Sequence, residues 1–240
     1  MFQNKTVFVS GGTGYIGSAI VKKFAKAGAS VFFSYNRNKE AADKITAEIL
    51  NTHSIKIDLL NIEDIKLKIS ELYKKLEKID ILINNAGASQ VMPFALIEED
   101  DFDYIIDTNI KGTFFVTKEI VRKMIKFRSG VIVNIGSIAG QRMLEVPVHY
   151  ALSKAAISGF TMSLAVELKK FNIRVNSIVP GLIDGGISKA IPEELRADFN
   201  KHCALGRGGK SDEVADLAIF LASEKSSYIN GQNIFIDGGI

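Results

Sequence analysis

Ser10-Gly11-Gly12-Thr13-Gly14-Tyr15-Ile16-Gly17 follows the β-branched run Thr6-Val7-Phe8-Val9 and leads into an amphipathic stretch over about 15–28. Glycines between a strand and a helix allow a tight turn and bring backbone N–H groups close to an anion. The positive end of the helix then suits a pyrophosphate. A glycine turn can also serve geometry alone, where positive φ is needed. Its position within the first 20 residues, with a strand before it and a helix behind, favours the dinucleotide reading.

The same alternation repeats outward from this turn. Val31-Phe32-Phe33, Ile55-Lys56-Ile57, Ile81-Leu82-Ile83, Val131-Ile132-Val133 and Val175 to Val179 read as further strands, and Ile234-Phe235-Ile236 as a seventh. Helical patterns fall at about 39–51, 62–77, 99–127, 149–171 and 211–223. Nearly all-apolar strands separated by helices predict an α/β doubly wound Rossmann fold, a seven-stranded parallel sheet with helices on both faces. With 240 residues, 47% hydrophobic and 24% charged, the chain is expected to form one domain over 1–240 that buries roughly 70% of its surface. Residues 183–210 are set apart by flanking glycines and a short charged helical piece from Pro192 to Lys201, the pattern of a substrate lid or of a solvated loop.

Thirty basic and 27 acidic residues are mixed along the chain, for a net charge of +3. This argues against nucleic acid as a partner. The lone Cys203 has no intrachain disulfide partner, no apolar run suits a membrane, and the N-terminus lacks a signal-peptide layout, so a cytoplasmic protein is expected. His53, His149 and His202 lack metal-ligand spacing, and no metal site is expected. The second strand runs into Ser34-Tyr35-Asn36-Arg37-Asn38 with no carboxylate before Glu40. A carboxylate there would hold ribose hydroxyls and repel a 2′-phosphate, whereas Arg37 would grip one. NADP(H) is therefore preferred to NAD(H), with Arg37 as a merely solvated charge the alternative.

In order along the chain stand the glycine turn, Asp58-Leu59, Asn84-Asn85-Ala86-Gly87, Asn109, Ser137, Tyr150-x-x-x-Lys154, Pro180-Gly181 and Asp237-Gly238-Gly239. This series resembles the short-chain dehydrogenase/reductase family across essentially the whole length, and within it the bacterial 3-oxoacyl-[acyl-carrier-protein] reductases. The resemblance implies a catalytic set of Asn109, Ser137, Tyr150 and Lys154. Tyr150 would be the general acid, Ser137 would hold the substrate oxygen, and Asn109 would distort its helix and hold a water serving the lysine. Residues i and i+4 share a helix face, so Lys154 is placed to draw the Tyr150 phenol down from its free value near 10. The implied cofactor site comprises Gly11, Thr13, Gly14, Tyr15, Ile16, Gly17, Asn36, Arg37, Asp58, Leu59, Asn85, Ala86, Gly87, Tyr150, Lys154, Pro180, Gly181 and Ile183. Substrate contacts are expected from Ser137, Gln90, Gln141, Met143 and Tyr150, and His149 is expected to face away from the tyrosine toward the substrate mouth.

Two positions depart from the family pattern. Tyr15 stands where a glycine is usual, and Gly185 where a threonine commonly bonds the nicotinamide amide. The implied reaction is NADPH-dependent reduction of a ketone to a secondary alcohol. The first-choice substrate is a 3-oxoacyl thioester on acyl carrier protein, of fatty acid or polyketide type. A free small ketone, alcohol or sugar is the alternative, and a non-catalytic nucleotide-binding regulator the remote one. Arg128 matches a basic carrier-docking position, whereas Phe171 occupies the companion one. Apolar residues on helices 99–127 and 149–171, among them Phe114, Phe160 and Met162, together with the resemblance, predict a homo-oligomer, dimer or tetramer.

Overall fold

Val7 and Val9 project to one side of the first strand and Phe8 to the other, and all three are fully buried. A strand apolar on both faces needs cover on both. The computed structural model, which describes residues 1–240, supplies that cover in the order β1 (Thr6–Val9), α1 (Tyr15–Lys26), β2 (Ser30–Tyr35), α2 (Lys39–Glu48), β3 (Thr52–Lys56), α3 (Ile62–Tyr73) and β4 (Ile81–Asn84). There follow α4 (Glu99–Ile106), α5 (Thr113–Phe127), β5 (Gly130–Ile135), α6 (Val148–Leu168), β6 (Ile173–Pro180), α7 (Glu193–His202), α8 (Ser211–Ala222) and β7 (Asn233–Ile236).

The seven strands form one parallel sheet in the order β3-β2-β1-β4-β5-β6-β7. On one face α1, α2 and α8 bury Ile20, Phe24, Ala42, Ile45, Val214 and Leu221 against Val7, Val9 and Val31. On the other, α3, α5 and α6 bury Ile65, Ile69, Val116, Ile120, Ala165 and Leu168 against Phe8, Leu82 and Ile132. Strand order reverses between β1 and β4, where the loops leaving the carboxyl ends diverge and open the crevice in which such sheets bind ligands.

Two boundaries differ from the sequence reading. Strand β3 covers Thr52–Lys56 instead of 55–57, with Thr52 opposite Val31. It is an edge strand, so His53 and Lys56 face solvent and the apolar signal is lost. The expected helix over 99–127 is broken by a π-helical turn, Asp107–Gly112, between α4 and α5. No helix is long and apolar enough to cross a membrane.

Candidate active site

Three segments build the floor of the crevice. In the turn after β1, Gly11 has φ +65°, and a Cβ there would lie 2.8 Å from the Ala86 Cα, so the backbone of 84–87 fits only against glycine. A Cβ on Gly12 would enter the Phe33 ring, and one on Gly17 would meet the Gly11 carbonyl and the Asn85 amide. The buried Ser10 hydroxyl accepts the Asn85 and Ala86 N–H groups, each at 3.0 Å, while the Asn85 amide donates to the Ser10 and Gly11 carbonyls. Ser34 Oγ accepts the Gly11 N–H at 3.1 Å.

Helices α2 and α3 are capped by the side chains of Asn38 and Asn61. In contrast, α1 starts after Gly14 with no side-chain cap and no acidic residue in its first turn. Its N–H groups and positive end thus face the crevice, a setting for phosphate. At the end of β2 the exposed Arg37 borders the same cavity, beside Asn36, whose amide lies 3.4 Å from Asp58 Oδ1. These features fit a dinucleotide cofactor.

The opposite wall carries the reactive side chains. Ser137 follows β5 and its Oγ accepts the Ala139 N–H at 3.1 Å. Burial pushes the Tyr150 phenol above its ordinary value of 10.0, and a hydrogen bond with Ser137 acts in the opposite direction. Lys154, 6% exposed, donates to the Ile135 carbonyl at 3.0 Å, and its Nζ lies 5.9 Å from the Tyr150 ring centroid. Burial pushes its ammonium down to about 8. The expected lowering of the phenol by Lys154 is therefore not what the geometry gives. Desolvation dominates at Tyr150, Ser137 provides the opposing pull, and the lysine directs its proton to a carbonyl.

Asn109 sits in the π-helical turn, 2% exposed. Its Oδ1 accepts the Ala88 N–H at 2.7 Å, and its amide donates to the Ala88 carbonyl and to Ser153 Oγ, both at 2.9 Å. These three bonds clamp loop 85–88 onto α6. A Cβ on Gly87 would fall 3.2 Å from Asn109 Oδ1 and 3.5 Å from Lys154 Nζ, so Gly87 is the spacer between the two.

One cavity of about 1060 Å³ unites these segments. That exceeds the ~300–1,000 Å³ typical of a single small-ligand pocket. All eighteen residues read from sequence as cofactor-binding line it, as do Ser137 and Met143. Asn109 does not, being buried behind Gly87. Gln90 and Gln141, expected at the substrate, are turned away because each amide has a nearer partner: Gln90 donates to Asp101 Oδ1 at 3.0 Å and Gln141 to Ser158 Oγ at 2.9 Å. His149 does not reach the mouth either. It is buried, burial lowers its pKa, and neither ring nitrogen has a protein partner.

Sequence reasoning missed the apolar wall formed by Val91, Val146, Ile191, Leu195 and Phe199. It also missed Ser10 and a polar chain under the site, in which Asn84 donates to Thr117 and Asn134, and Asn134 to Thr161, each at 2.8 Å. An asparagine closing the apolar run Val131-Ile132-Val133 was the available signal for that chain. Segment 184–208 leaves and rejoins the body at a bridge between Ile183 and Gly209.

The profile of the family described as Enoyl-(Acyl carrier protein) reductase matches residues 13–240. The chain is 38% identical to the 3-oxoacyl-[acyl-carrier-protein] reductase FabG of Aquifex aeolicus, over 99% of this chain and 98% of the relative. Among solved structures, a 3-oxoacyl-[acyl-carrier protein] reductase from Brucella melitensis superposes with a TM-score of 0.92 at 29% identity, covering 100% of this chain and 92% of that one. A mutant short-chain dehydrogenase/reductase from Serratia marcescens gives 0.92 at 30% identity, covering 99% and 98%.

Proposed function

Because the chain belongs to the short-chain dehydrogenase/reductase family, oxidoreductases of the C=O/CH–OH couple, we propose that it reduces the ketone of a 3-oxoacyl thioester on acyl carrier protein to a secondary alcohol, with NADPH as reductant. The observation that carries this reading is the convergence of Ser137, Tyr150 and Lys154 on the cavity that also holds the glycine turn and Arg37. When bound, the dinucleotide supplies the hydride. The residues that would hold it are the N–H groups opening α1, Arg37 and Asn36 at the ribose, Asp58 and Leu59 beside the base, and Lys154 at the far sugar.

The chain's own work is proton delivery and orientation. Ser137 hydrogen-bonds the substrate oxygen as negative charge develops there. Tyr150, kept protonated by its raised pKa, gives its proton to that oxygen. Lys154, with a pKa of about 8, remains largely an ammonium at neutral pH and, steadied by the Ile135 carbonyl, would hold the far sugar beneath the phenol. Asn109 is a positioning residue, fixing loop 85–88 and, through Ser153, the helix that carries Tyr150 and Lys154.

The apolar wall supports an acyl chain over a sugar. A carrier protein is acidic, and the exposed Arg128, whose guanidinium ties to the Lys170 carbonyl at 2.8 Å beside the exposed Lys169, supports docking nearby. Phe114, Met162 and Val166, exposed on α5 and α6, support self-association of the chain.

The test is to supply NADPH or NADH with carrier-linked 3-oxoacyl thioesters and with small ketones, and to follow dinucleotide oxidation. Higher kcat/KM on the carrier-linked substrate with NADPH is expected. Faster turnover of a small ketone would transfer the assignment to that class.

A further inference from the structure

Segment 184–208 crosses the front of the cavity, yet α7 within it buries no residue at all. Its seat depends on its ends. At the far end the Leu205 N–H donates to the Gly238 carbonyl at 3.1 Å, and Cys203 is buried against the same stretch. The near end begins with Gly185 and Gly186, at φ +128° and +61°. A Cβ built on Gly185 would lie 2.6 Å from Tyr15 Cζ and 2.8 Å from Cε1, and one on Gly186 would lie 2.8 Å from Tyr15 Cβ.

The tyrosine thus fills the volume that side chains at 185 and 186 would occupy, and backbone there touches the ring directly. Tyr15 is the first residue of α1, on the glycine turn, and its side chain remains 44% exposed beside the cavity. A phosphate-binding turn has no structural need of a large aromatic here, and the three atoms nearest to a Cβ built at either glycine all belong to Tyr15.

We propose that Tyr15 is a positioning residue that latches segment 184–208 to the glycine turn, so that a dinucleotide leaves the crevice only after the ring lifts from Gly185 and Gly186. The proposal rests on reading the crevice as the dinucleotide site; the contact itself does not. Because the ring acts by packing, its hydroxyl is dispensable.

Two measurements on Tyr15→Ala, Tyr15→Phe, Gly185→Ala and the double variant decide it. In the protein without added dinucleotide, limited trypsin digestion after Lys189 and Arg196 is faster by about tenfold in Tyr15→Ala, as for loss of one good contact. It stays within about twofold of wild type in Tyr15→Phe. In stopped-flow release of NADPH or NADH the same ordering is expected. Gly185→Ala, which drives a methyl into the ring, also speeds both processes, and adding Tyr15→Ala to it produces no further change. Should Gly185→Ala fail to fold, Gly186→Ala takes its place. Wild-type digestion and release rates in Tyr15→Ala, or effects that multiply in the double variant, overturn the latch. Binding of neither dinucleotide by the wild type overturns the cofactor reading and the release step, while digestion still decides the contact.

Discussion

Lys154 is 6% exposed, and burial is the sole cause that moves its pKa from 10.5 to about 8. The substitution Lys154→Met removes that buried charge while keeping an unbranched side chain of similar length. The unfolded chain holds the proton more tightly than the folded one, so the folded state is penalised in full below about pH 8 and relieved as pH rises toward 10.5. At about 1.4 kcal/mol per pH unit, the penalty is about 3 kcal/mol. Against this, the Ile135 carbonyl loses its donor at 3.0 Å, a loss of about 1–2 kcal/mol. The variant should therefore be more stable by about 1–2 kcal/mol at pH 7, a rise of about 2–8 °C in Tm for a chain of this size. Urea unfolding followed by circular dichroism at pH 7 and at pH 10 measures it. The expected signature is an advantage at pH 7 that disappears at pH 10, accompanied by loss of reductase activity at both. An advantage of equal size at the two pH values, or a wild type more stable at pH 7, would show that no charge is buried there at a cost.

Tyr150→Phe should lower ketone reduction by about 10²–10⁴, the range of general acid catalysis; fluorescence titration should find dinucleotide binding nearly unchanged, and equal activity would remove the phenol from the reaction. Arg37→Ala should raise KM for NADPH by about tenfold, as for one lost charge-assisted contact, and leave that for NADH within about twofold. Steady-state kinetics with both dinucleotides tests it, and a parallel rise in the two would mean that the arginine does not read the 2′-phosphate. Asn134→Ala breaks the chain joining Asn84 to Thr161 and should cost about 2–4 kcal/mol. A calorimetric melt should drop by about 10 °C, and a drop of less than about 2 °C would refute the reasoning.

The sheet was legible because its central strands are apolar on both faces and alternate with helices along the chain. Legibility failed wherever a residue answers to partners distant in sequence. Thr52-His53-Ser54 carries no apolar pattern, since an edge strand has only one neighbour to satisfy. Gln90 and Gln141 were placed at the substrate on sequence position, whereas their amides are engaged by Asp101 and Ser158. Periodicity gives the apolar face of a helix but not its hydrogen-bond register, so the π-helical turn at Asp107–Gly112 was invisible as such. The crevice itself was easier to read, because glycine, tyrosine and lysine at fixed spacings serve local geometry that sequence distance reports directly. The Tyr15–Gly185 contact lay hidden for the opposite reason: its halves are 170 positions apart, and each alone reads as an isolated oddity.

The wide turn at Asp107–Gly112 also sets how the two halves of that long rod are phased. A helix advances about 100° per residue. Deleting a single amino acid such as Lys111 would let α4 and α5 merge into one uninterrupted α-helix, because the wide turn takes up one residue more than an α-helical turn and leaves the helices on either side in phase. Val116, Ile120 and Met124 would keep their places beneath the sheet, where they pack with Ile65 and Ile69. Straightening the rod would thus spare the core and act on the site alone, by withdrawing the bulge that aims Asn109 at Ala88 and Ser153.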